Sequence, residues 1–198
     1  MENRENVFTI IQTLRTDCAK KQKRGIHFII SSIIIWIAIL IIHNSSLLIQ
    51  TKNLYTFFCS TPLLVLSYLV SKLIKVDFQN KNNPLTNLGI LFSMNQMLYI
   101  LIAMWIYASV PDKMLMIYAM IFGAHLLPYG WLYQSKTYYV LSILIPIIAL
   151  LIGLNFSTVI LAAVMLFIEI VFLICLCIEN RNIKSNQVSY SSWLRNCQ

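Results

Sequence analysis

Residues 26–42 read IHFIISSIIIWIAILII, a run of seventeen residues without a single Asp, Glu, Lys or Arg. A helix needs about 20 predominantly apolar residues to cross a hydrocarbon core of about 30 Å. Since lipid offers no hydrogen-bond partner to an open backbone, such a segment is stable there as a helix, whose backbone groups pair internally. The run therefore predicts a helix that crosses a membrane.

The composition of the whole chain agrees with that prediction. Of its 198 residues, 59% are hydrophobic and 11% are charged, and the mean hydropathy is +0.73. An ordinary soluble domain is about 45–50% apolar and about 25% charged. A water-soluble globule is therefore excluded, and the low content of Gly and Pro excludes a collagen-like or low-complexity chain.

Five further segments are long and apolar enough to span a membrane. The connections between them are short, so successive helices are expected to run antiparallel in one compact, all-α bundle that occupies residues 26–178. Pro62, Pro128 and Pro146 are expected to interrupt three of the spans, because proline removes a backbone hydrogen bond. The six predicted spans are 26–42, 54–74, 85–108, 114–133, 137–154 and 157–178.

The distribution of Lys and Arg predicts the orientation of the bundle. With a cytoplasmic amino terminus, thirteen of the fifteen basic residues fall on the cytoplasmic side, and only Lys52 and Lys113 fall outside. Short loops rich in Lys and Arg stay in the cytoplasm. Both termini are therefore predicted to be cytoplasmic in a multi-pass protein of the cell membrane. The same bias accounts for the net charge of +8, which argues against a nucleic-acid partner.

The segment before the first span, residues 1–25, has the pattern of an amphipathic helix. Its apolar residues recur at helical spacing, at Val7, Phe8, Ile11, Leu14 and Cys18. A cluster of cations follows them, at Lys20, Lys21, Lys23 and Arg24. Such a helix is expected to lie on the inner leaflet with its cations near anionic lipid, although a frayed polar tail is the alternative. Residues 179–198 are predicted to form a polar cytoplasmic tail.

Polar side chains occur near the middle of three predicted spans. At a rise of about 1.5 Å per residue, Gln96 lies about 16 Å from the inner end of its helix, Glu169 about 14 Å and His125 about 12 Å. Asn95 is adjacent to Gln96. Ionisable groups at this depth are unfavourable by about 2.5–3.5 kcal/mol on insertion scales, so each indicates a function. We therefore expect Glu169, His125, Gln96 and Asn95 to form a candidate ligand- or ion-binding site.

Two interpretations of these groups stay open. If Glu169 faces a water-filled cavity, it can ionise and pair with His125 as a proton or cation relay. If it faces packed helices, it stays neutral and holds the helices together through hydrogen bonds. The first favours a transporter or channel-like protein for a small solute or ion, and the second favours a non-catalytic interaction or immunity-type protein.

No catalytic fingerprint accompanies the spans. The zinc H-E-x-x-H, the G-x-S-x-G elbow and the P-loop are all missing from the sequence. Cys175 and Cys177 are two residues apart, so a helix directs them about 200° apart, and no metal site or cofactor is expected. The balance leans against an enzyme, with a membrane-embedded enzyme acting on lipid as the weakest alternative. A homo-oligomer is compatible with all of these functions.

Two motifs flank the inner ends of the middle spans. Residues 73–85 read LIKVDFQNKNNPL, and residues 123–139 read GAHLLPYGWLYQSKTYY. Their K-V-D, N-P-L and G-A-H-x-L-P-Y-x-W-L-Y-x-S-K patterns resemble a family of small six-helix membrane proteins of bacteria that is known as a domain of unknown function. The resemblance implies a bacterial integral membrane protein and brings no activity with it.

The two motifs also define an alternative candidate site on the cytoplasmic side, which leads inward to His125. There, Asp77 could pair with Lys136, and Asn83 could cap the helix that starts after it. The alternative interpretation is a loop-to-helix clasp that fixes the topology. The residues of this second cluster are Asp77, Asn83, Tyr129, Tyr133 and Lys136.

Overall fold

The computed structural model describes the backbone of residues 2–196 and the side chains of residues 5–181. Within that part of the chain every regular element is a helix, as predicted. The predicted tail, 179–198, falls largely outside the described side chains, although the backbone of the last helix continues through Asn196. The α-helices are α1 (Glu2–Lys21), α2 (Ile26–Asn44), α3 (Ile49–Ser60), α4 (Leu63–Leu73), α5 (Leu85–Ser109), α6 (Met114–Ala124), α7 (Leu127–Tyr133), α8 (Lys136–Asn155) and α9 (Thr158–Asn196).

Five helical stretches are long and apolar enough to cross a membrane, or six if α3 and α4 together form one span. Those two helices meet at an angle of 44°. The break falls at Thr61 and Pro62, where the sequence predicts an interruption. A second predicted break separates α6 from α7, just before Pro128. The third does not occur, because α8 runs through Pro146 without a break.

The bundle is held together by two close helix pairs. Helix α2 packs along α9, with Trp36, Met165 and Phe172 fully buried in the shared core. Helix α6 packs on α8 at Gly123, where an added Cβ atom would lie 2.6 Å from both Ile145 and Pro146. Only a residue without a side chain allows this approach, so Gly123 sets the spacing of α6 and α8.

Helix α5 lies at the periphery of the bundle. Only 6% of its apolar stretch is buried by the rest of the protein, compared with 50% for the helix at Lys23–Asn44. It contacts the bundle along the side that carries Gly89, Ser93 and Ala103. Most of its circumference is therefore open to whatever surrounds the protein.

A sharp bend joins α1 to α2. Lys23, Arg24 and Gly25 adopt left-handed backbone conformations in succession, with φ of 46°, 52° and 69°. A Cβ atom at Gly25 would lie 3.1 Å from Tyr133 Cε2 and from Tyr138 Oη. The bend turns α1 back over one end of the bundle. We call this end, where α1 meets the α4–α5 loop, Tyr133–Lys136 and Glu179, the α1 end.

Helix α1 packs on the protein more than the sequence predicts. The Arg15 guanidinium lies 4.4 Å from the centre of the Trp131 ring, and its Nε donates to the Trp131 carbonyl (2.8 Å). Cys18 is fully buried, whereas Val7 and Phe8 are exposed. The predicted apolar stripe is therefore divided: its second half contacts the bundle, and its first half remains available to lipid.

Lys52 and Lys113, the two basic residues that are predicted to lie outside the cytoplasm, are at the opposite end of the bundle. Lys52 donates to the carbonyl of His43 (2.9 Å), and Lys113 donates to the carbonyl of Gly153 (2.8 Å). Both carbonyls belong to the last turn of a helix, where backbone oxygens lack intrahelical partners. Each lysine thus donates a hydrogen bond to a backbone carbonyl that has no partner within its own helix.

Candidate functional site

The carboxyl of Glu169 is a fully buried acidic group. The residue lies in α9 and is 0% exposed. Neither carboxyl oxygen has a hydrogen-bond partner. Ser32 of α2 is directed at this carboxyl, yet its hydroxyl also lacks a partner within hydrogen-bond geometry. Three polar atoms therefore lie unpaired between α2 and α9.

Apolar and aromatic groups surround these atoms. One turn further along α9, the Phe172 ring lies 4.8 Å from the Tyr138 ring, between centroids. The Tyr138 hydroxyl donates to the carbonyl of Arg24 (2.9 Å) and so is already engaged. A polar group buried without a partner is unfavourable by about 1–3 kcal/mol, so the position of Glu169 reduces the stability of the fold. A carboxyl that is unfavourable for folding and fully enclosed is a candidate for function.

His125 does not join Glu169. It lies at the end of α6, half-buried, between the rings of Phe122 (5.4 Å) and Tyr129 (6.0 Å). Its Nδ1 is buried without a partner, and Glu169 accepts no hydrogen bond. The expected Glu169–His125 pair is therefore absent as a hydrogen bond. The two side chains belong to different interfaces, because His125 packs toward α7 and Glu169 toward α2.

The amides of α5 are also separate from Glu169. Asn95 is exposed, and its Nδ2 donates to Tyr99 Oη one turn further along the same helix (3.1 Å). Gln96 is half-buried and forms none of the hydrogen bonds found among the described side chains. No hydrogen bond among the described side chains therefore joins the α5 amides to Glu169 or to His125, and the shared chamber expected from the equal depth of the three spans stays a prediction.

The alternative cluster divides into two parts. Asp77 and Lys136 are exposed and form no ion pair with each other, whereas Asp77 accepts the backbone N–H of Asn80 (2.9 Å). Tyr129 and Tyr133 stack, with their ring centroids 6.0 Å apart. The hydroxyl groups of both tyrosines form hydrogen bonds with residues outside this cluster. Tyr129 Oη lies 2.6 Å from Ser93 Oγ, and Tyr133 Oη donates to Gln22 (2.7 Å).

Asn83 takes part in a loop-to-helix clasp, as the alternative interpretation expects. Its Oδ1 accepts the N–H of Leu85 at the start of α5 (3.0 Å). Its Nδ2 donates to Asp17 Oδ2 (2.9 Å), which also accepts Asn80 Nδ2 (2.9 Å). Lys21 lies 3.0 Å from the other oxygen of the same carboxylate. Asp17, which the sequence does not single out, is thus the centre of the clasp between α1 and the α4–α5 loop.

The clasp changes the acidity of Asp17. Partial burial by itself raises the pKa of this carboxyl, but the hydrogen bonds from Asn80, Asn83 and Lys21 together lower the pKa to about 2, from an ordinary value of 3.8. Hydrogen bonds to the charged form stabilise that form. Asp17 therefore stays ionised at every physiological pH and holds the clasp closed.

A second polar centre lies at Glu179, which the sequence analysis places only at the start of the tail. Its Oε1 accepts the backbone N–H and the hydroxyl of Thr137 (3.0 and 2.7 Å), and its Oε2 accepts the Ser135 hydroxyl (2.6 Å). Arg24 Nε lies 3.4 Å from the same Oε2. The carboxylate thereby caps the start of α8 and ties α9 to the bend before α2.

Three of the four cations expected to face anionic lipid are bound to protein atoms. Lys21 pairs with Asp17, Lys23 donates to the carbonyl of Ile74 (2.7 Å), and Arg24 pairs with Glu179. The cations of this cluster thus lock the α1 end, and Lys20 is the one that has no partner among the described residues. Residue spacing does not reveal these contacts, since the partners lie far apart in the chain.

The family described as "Family of unknown function (DUF7010)" matches residues 11–179. The chain belongs to the DUF7010 family. The DUF7010 match starts within α1 and ends at Glu179, so it includes both polar centres of the α1 end as well as Glu169. No curated protein and no solved structure matches the chain.

Proposed function

We propose that this DUF7010 protein is a six-span membrane protein that moves protons or a small cation, with Glu169 as the group that binds the ion. The observation that carries the proposal is the complete burial of Glu169 with both carboxyl oxygens unpartnered, opposite an equally unpartnered Ser32. An intramembrane carboxyl of this kind marks an ion pathway or proton relay more often than a packing site.

The membrane placement rests on the five or six apolar helices and on the positions of the charges. We assign the α1 end to the cytoplasm, because the described cations Lys21, Lys23 and Arg24 lie there, whereas Lys52 and Lys113 lie at the opposite end. Under that assignment both termini are cytoplasmic, and α3 with α4 forms one bent span. The bend at Pro62 frees backbone groups near the middle of the span, which is a feature of transporters.

Glu169 is proposed to act by exchanging a proton with water that enters between α2 and α9, with the Ser32 hydroxyl as a hydrogen-bonding group for that water. When the carboxyl is neutral, it fits the apolar interface of the closed bundle. When it loses its proton, the interface holds an unpaired charge, which favours separation of the two helices and entry of water or a cation. Protonation thus couples to the packing of α2 on α9.

The test is proton flux into proteoliposomes that contain the purified full-length chain and a pH-sensitive dye. Glu169→Gln keeps the shape of the side chain and removes the exchangeable proton, so we expect it to abolish the flux. Glu5→Gln, an exposed carboxyl on α1, is the matched control and leaves the flux unchanged. Flux that survives in Glu169→Gln, or an unchanged chain that conducts neither protons nor monovalent cations, would refute the proposal.

The same flux experiment also tests whether His125 takes part in proton transfer. It is not hydrogen-bonded to Glu169, so a one-group mechanism predicts that His125→Ala retains most of the flux. A loss as complete as that of Glu169→Gln would instead return His125 to the relay and require the two groups to meet in another state of the bundle.

A second function, a membrane interaction protein that transports nothing, is favoured by a different observation. Helix α5 is almost uncovered, and it carries an exposed amide at Asn95 in the middle of an apolar span. Such a surface suits contact with another membrane helix. The lipid-acting enzyme has no comparable support, because His125 and Asp77 share no contact among the described residues.

A further inference from the structure

We propose that α5 is the surface through which two copies of this chain associate, with Asn95 of one copy facing Asn95 of the other. The proposal rests on the membrane placement of α5 and is independent of the role of Glu169.

The first support is the sequence pattern on the open side of α5. Apolar residues alternate at spacings of three and four, with one amide in the middle of the series. This is the a and d pattern of helices that pack side by side, and a single Asn at an a position fixes register and oligomeric state in such pairs. The series is Leu88, Leu91, Asn95, Leu98, Ile102 and Trp105, and we call it the α5 seam.

The second support is that the protein itself leaves the α5 seam open from Leu91 to Trp105, while Leu88 is half-buried. Leu91, Leu98 and Trp105 are 58%, 64% and 66% exposed. The side of α5 that packs on the bundle lies opposite, where Tyr129 reaches Ser93 Oγ (2.6 Å) and the carbonyl of Gly89 (3.0 Å). The α5 seam is therefore available for a partner, and its contact would not disturb the bundle.

The third support is the chemistry of Asn95. Its amide carries two donor hydrogens and a carbonyl acceptor. One hydrogen bond goes to Tyr99 Oη (3.1 Å), which leaves a donor and the acceptor unused in the middle of an apolar helix. In hydrocarbon an unpaired amide is unfavourable, so a partner that supplies both a donor and an acceptor is strongly preferred.

A second copy of the chain can supply both the donor and the acceptor that Asn95 requires. All copies share one orientation in the membrane, so a two-fold axis along the membrane normal brings α5 beside a parallel α5 at the same height. Around such an axis each residue meets its own counterpart. An amide is complementary to itself, since each Asn95 can donate to the carbonyl oxygen of the other.

The experiment uses disulfide crosslinking of the full-length chain in membranes. Single cysteines replace Leu91 and Leu98 in the α5 seam, which leaves Asn95 in place, and Met97 and Met104 outside the seam. Met97 is as exposed as the seam residues, at 62%, but lies about 200° around the helix from Asn95. The unsubstituted chain measures the background of the native cysteines. We expect a disulfide-linked dimer several-fold above background at positions 91 and 98 and background levels at 97 and 104.

A second measurement tests how much the side-chain amide of Asn95 contributes to the affinity of the dimer. Asn95→Leu is expected to weaken the dimer about tenfold in a dilution series in lipid vesicles, a change typical of the loss of an interhelical hydrogen bond. Met97→Leu is the matched control and leaves the dimer unchanged, and Asn95→Gln retains most of the affinity because it keeps the amide. Equal crosslinking at all four positions, crosslinking at background throughout, or a monomeric chain bound through α5 to a different membrane protein would overturn the proposal.

Discussion

Glu179 Oε2 lies 2.6 Å from Ser135 Oγ, and this contact joins α9 to the residue that precedes α8. The same oxygen lies 3.4 Å from Arg24 Nε, before α2. One carboxylate thus holds three helices at the α1 end. Since the Arg24 side chain is 9% exposed and that of Glu179 is 22% exposed, solvent screens the contact only weakly.

Removal of this carboxylate should destabilise the fold more than any other change at the α1 end. Glu179→Ala leaves Arg24 as an uncompensated buried charge and the backbone N–H of Thr137, at the start of α8, without its acceptor. The expected loss is about 3–5 kcal/mol in the free energy of unfolding. Thermal or denaturant unfolding in detergent measures it, with Glu5→Ala as the exposed control. A loss no larger than that of the control would contradict this role of Glu179.

The clasp at Asp17 should open in acid. The pKa of Asp17 is lowered to about 2 in the folded protein, so its contribution to stability is complete above about pH 4 and is lost as the pH falls toward 2. We expect peptic cleavage of α1 to accelerate over this interval. Asp17→Asn removes the step, because its amide carries no charge at any pH. Asp112→Asn, an exposed site at the opposite end of the bundle, keeps the step. A step of equal size in Asp17→Asn would contradict the assignment.

The hydrogen-bonded centres at Asp17 and Glu179 could not be predicted from the sequence. The apolar runs fixed the main helices closely: the predicted bounds of 26–42, 85–108 and 137–154 differ from those of α2, α5 and α8 by at most two residues. Asp17 and Glu179 meet partners at distant positions in the chain, such as Asn83 and Arg24. No local period encodes such contacts, so the sequence marks both residues only as polar.

The close packing of α6 on α8 depends on Gly123. A methyl group at this position would lie 2.6 Å from Ile145 and from the ring of Pro146, which is fixed to the backbone. Gly123→Ala should therefore destabilise the protein by about 1–3 kcal/mol. Gly89→Ala is the matched control, because its methyl group would meet only the flexible end of Leu132, at 3.3 Å. Equal melting temperatures for the two variants would show that α6 and α8 separate more easily than the structure indicates.

The candidate site shows a different limit of prediction. The rise of about 1.5 Å per residue gives the height of a side chain in the membrane, and it places Glu169, His125 and Gln96 near one level. The direction of a side chain depends on the rotation of its helix, which packing sets. Because α9 presents Glu169 to α2 while His125 lies between Phe122 and Tyr129, equal height does not join the two groups by a hydrogen bond.

The stability of Glu169 variants separates a functional carboxyl from a structural one. If the carboxyl holds helices together, its replacement by an apolar side chain of similar shape lowers stability. The structure predicts the reverse for Glu169→Met, because neither carboxyl oxygen forms a hydrogen bond. We expect a gain of about 1–3 kcal/mol, which is the penalty of an unpaired buried polar group.

The control is Ser142→Ala, a buried polar residue of α8 whose hydroxyl donates to the carbonyl of Tyr139 (2.8 Å). Loss of that satisfied bond changes stability little or lowers it. Unfolding of both variants in the same detergent, together with proton flux in liposomes, gives the decisive comparison. A Glu169→Met protein that is more stable and carries no flux fits a carboxyl kept for ion binding at the expense of stability. A less stable Glu169→Met would mean that the carboxyl supports the contact of α2 with α9, and the proposed ion site would lose its physical basis.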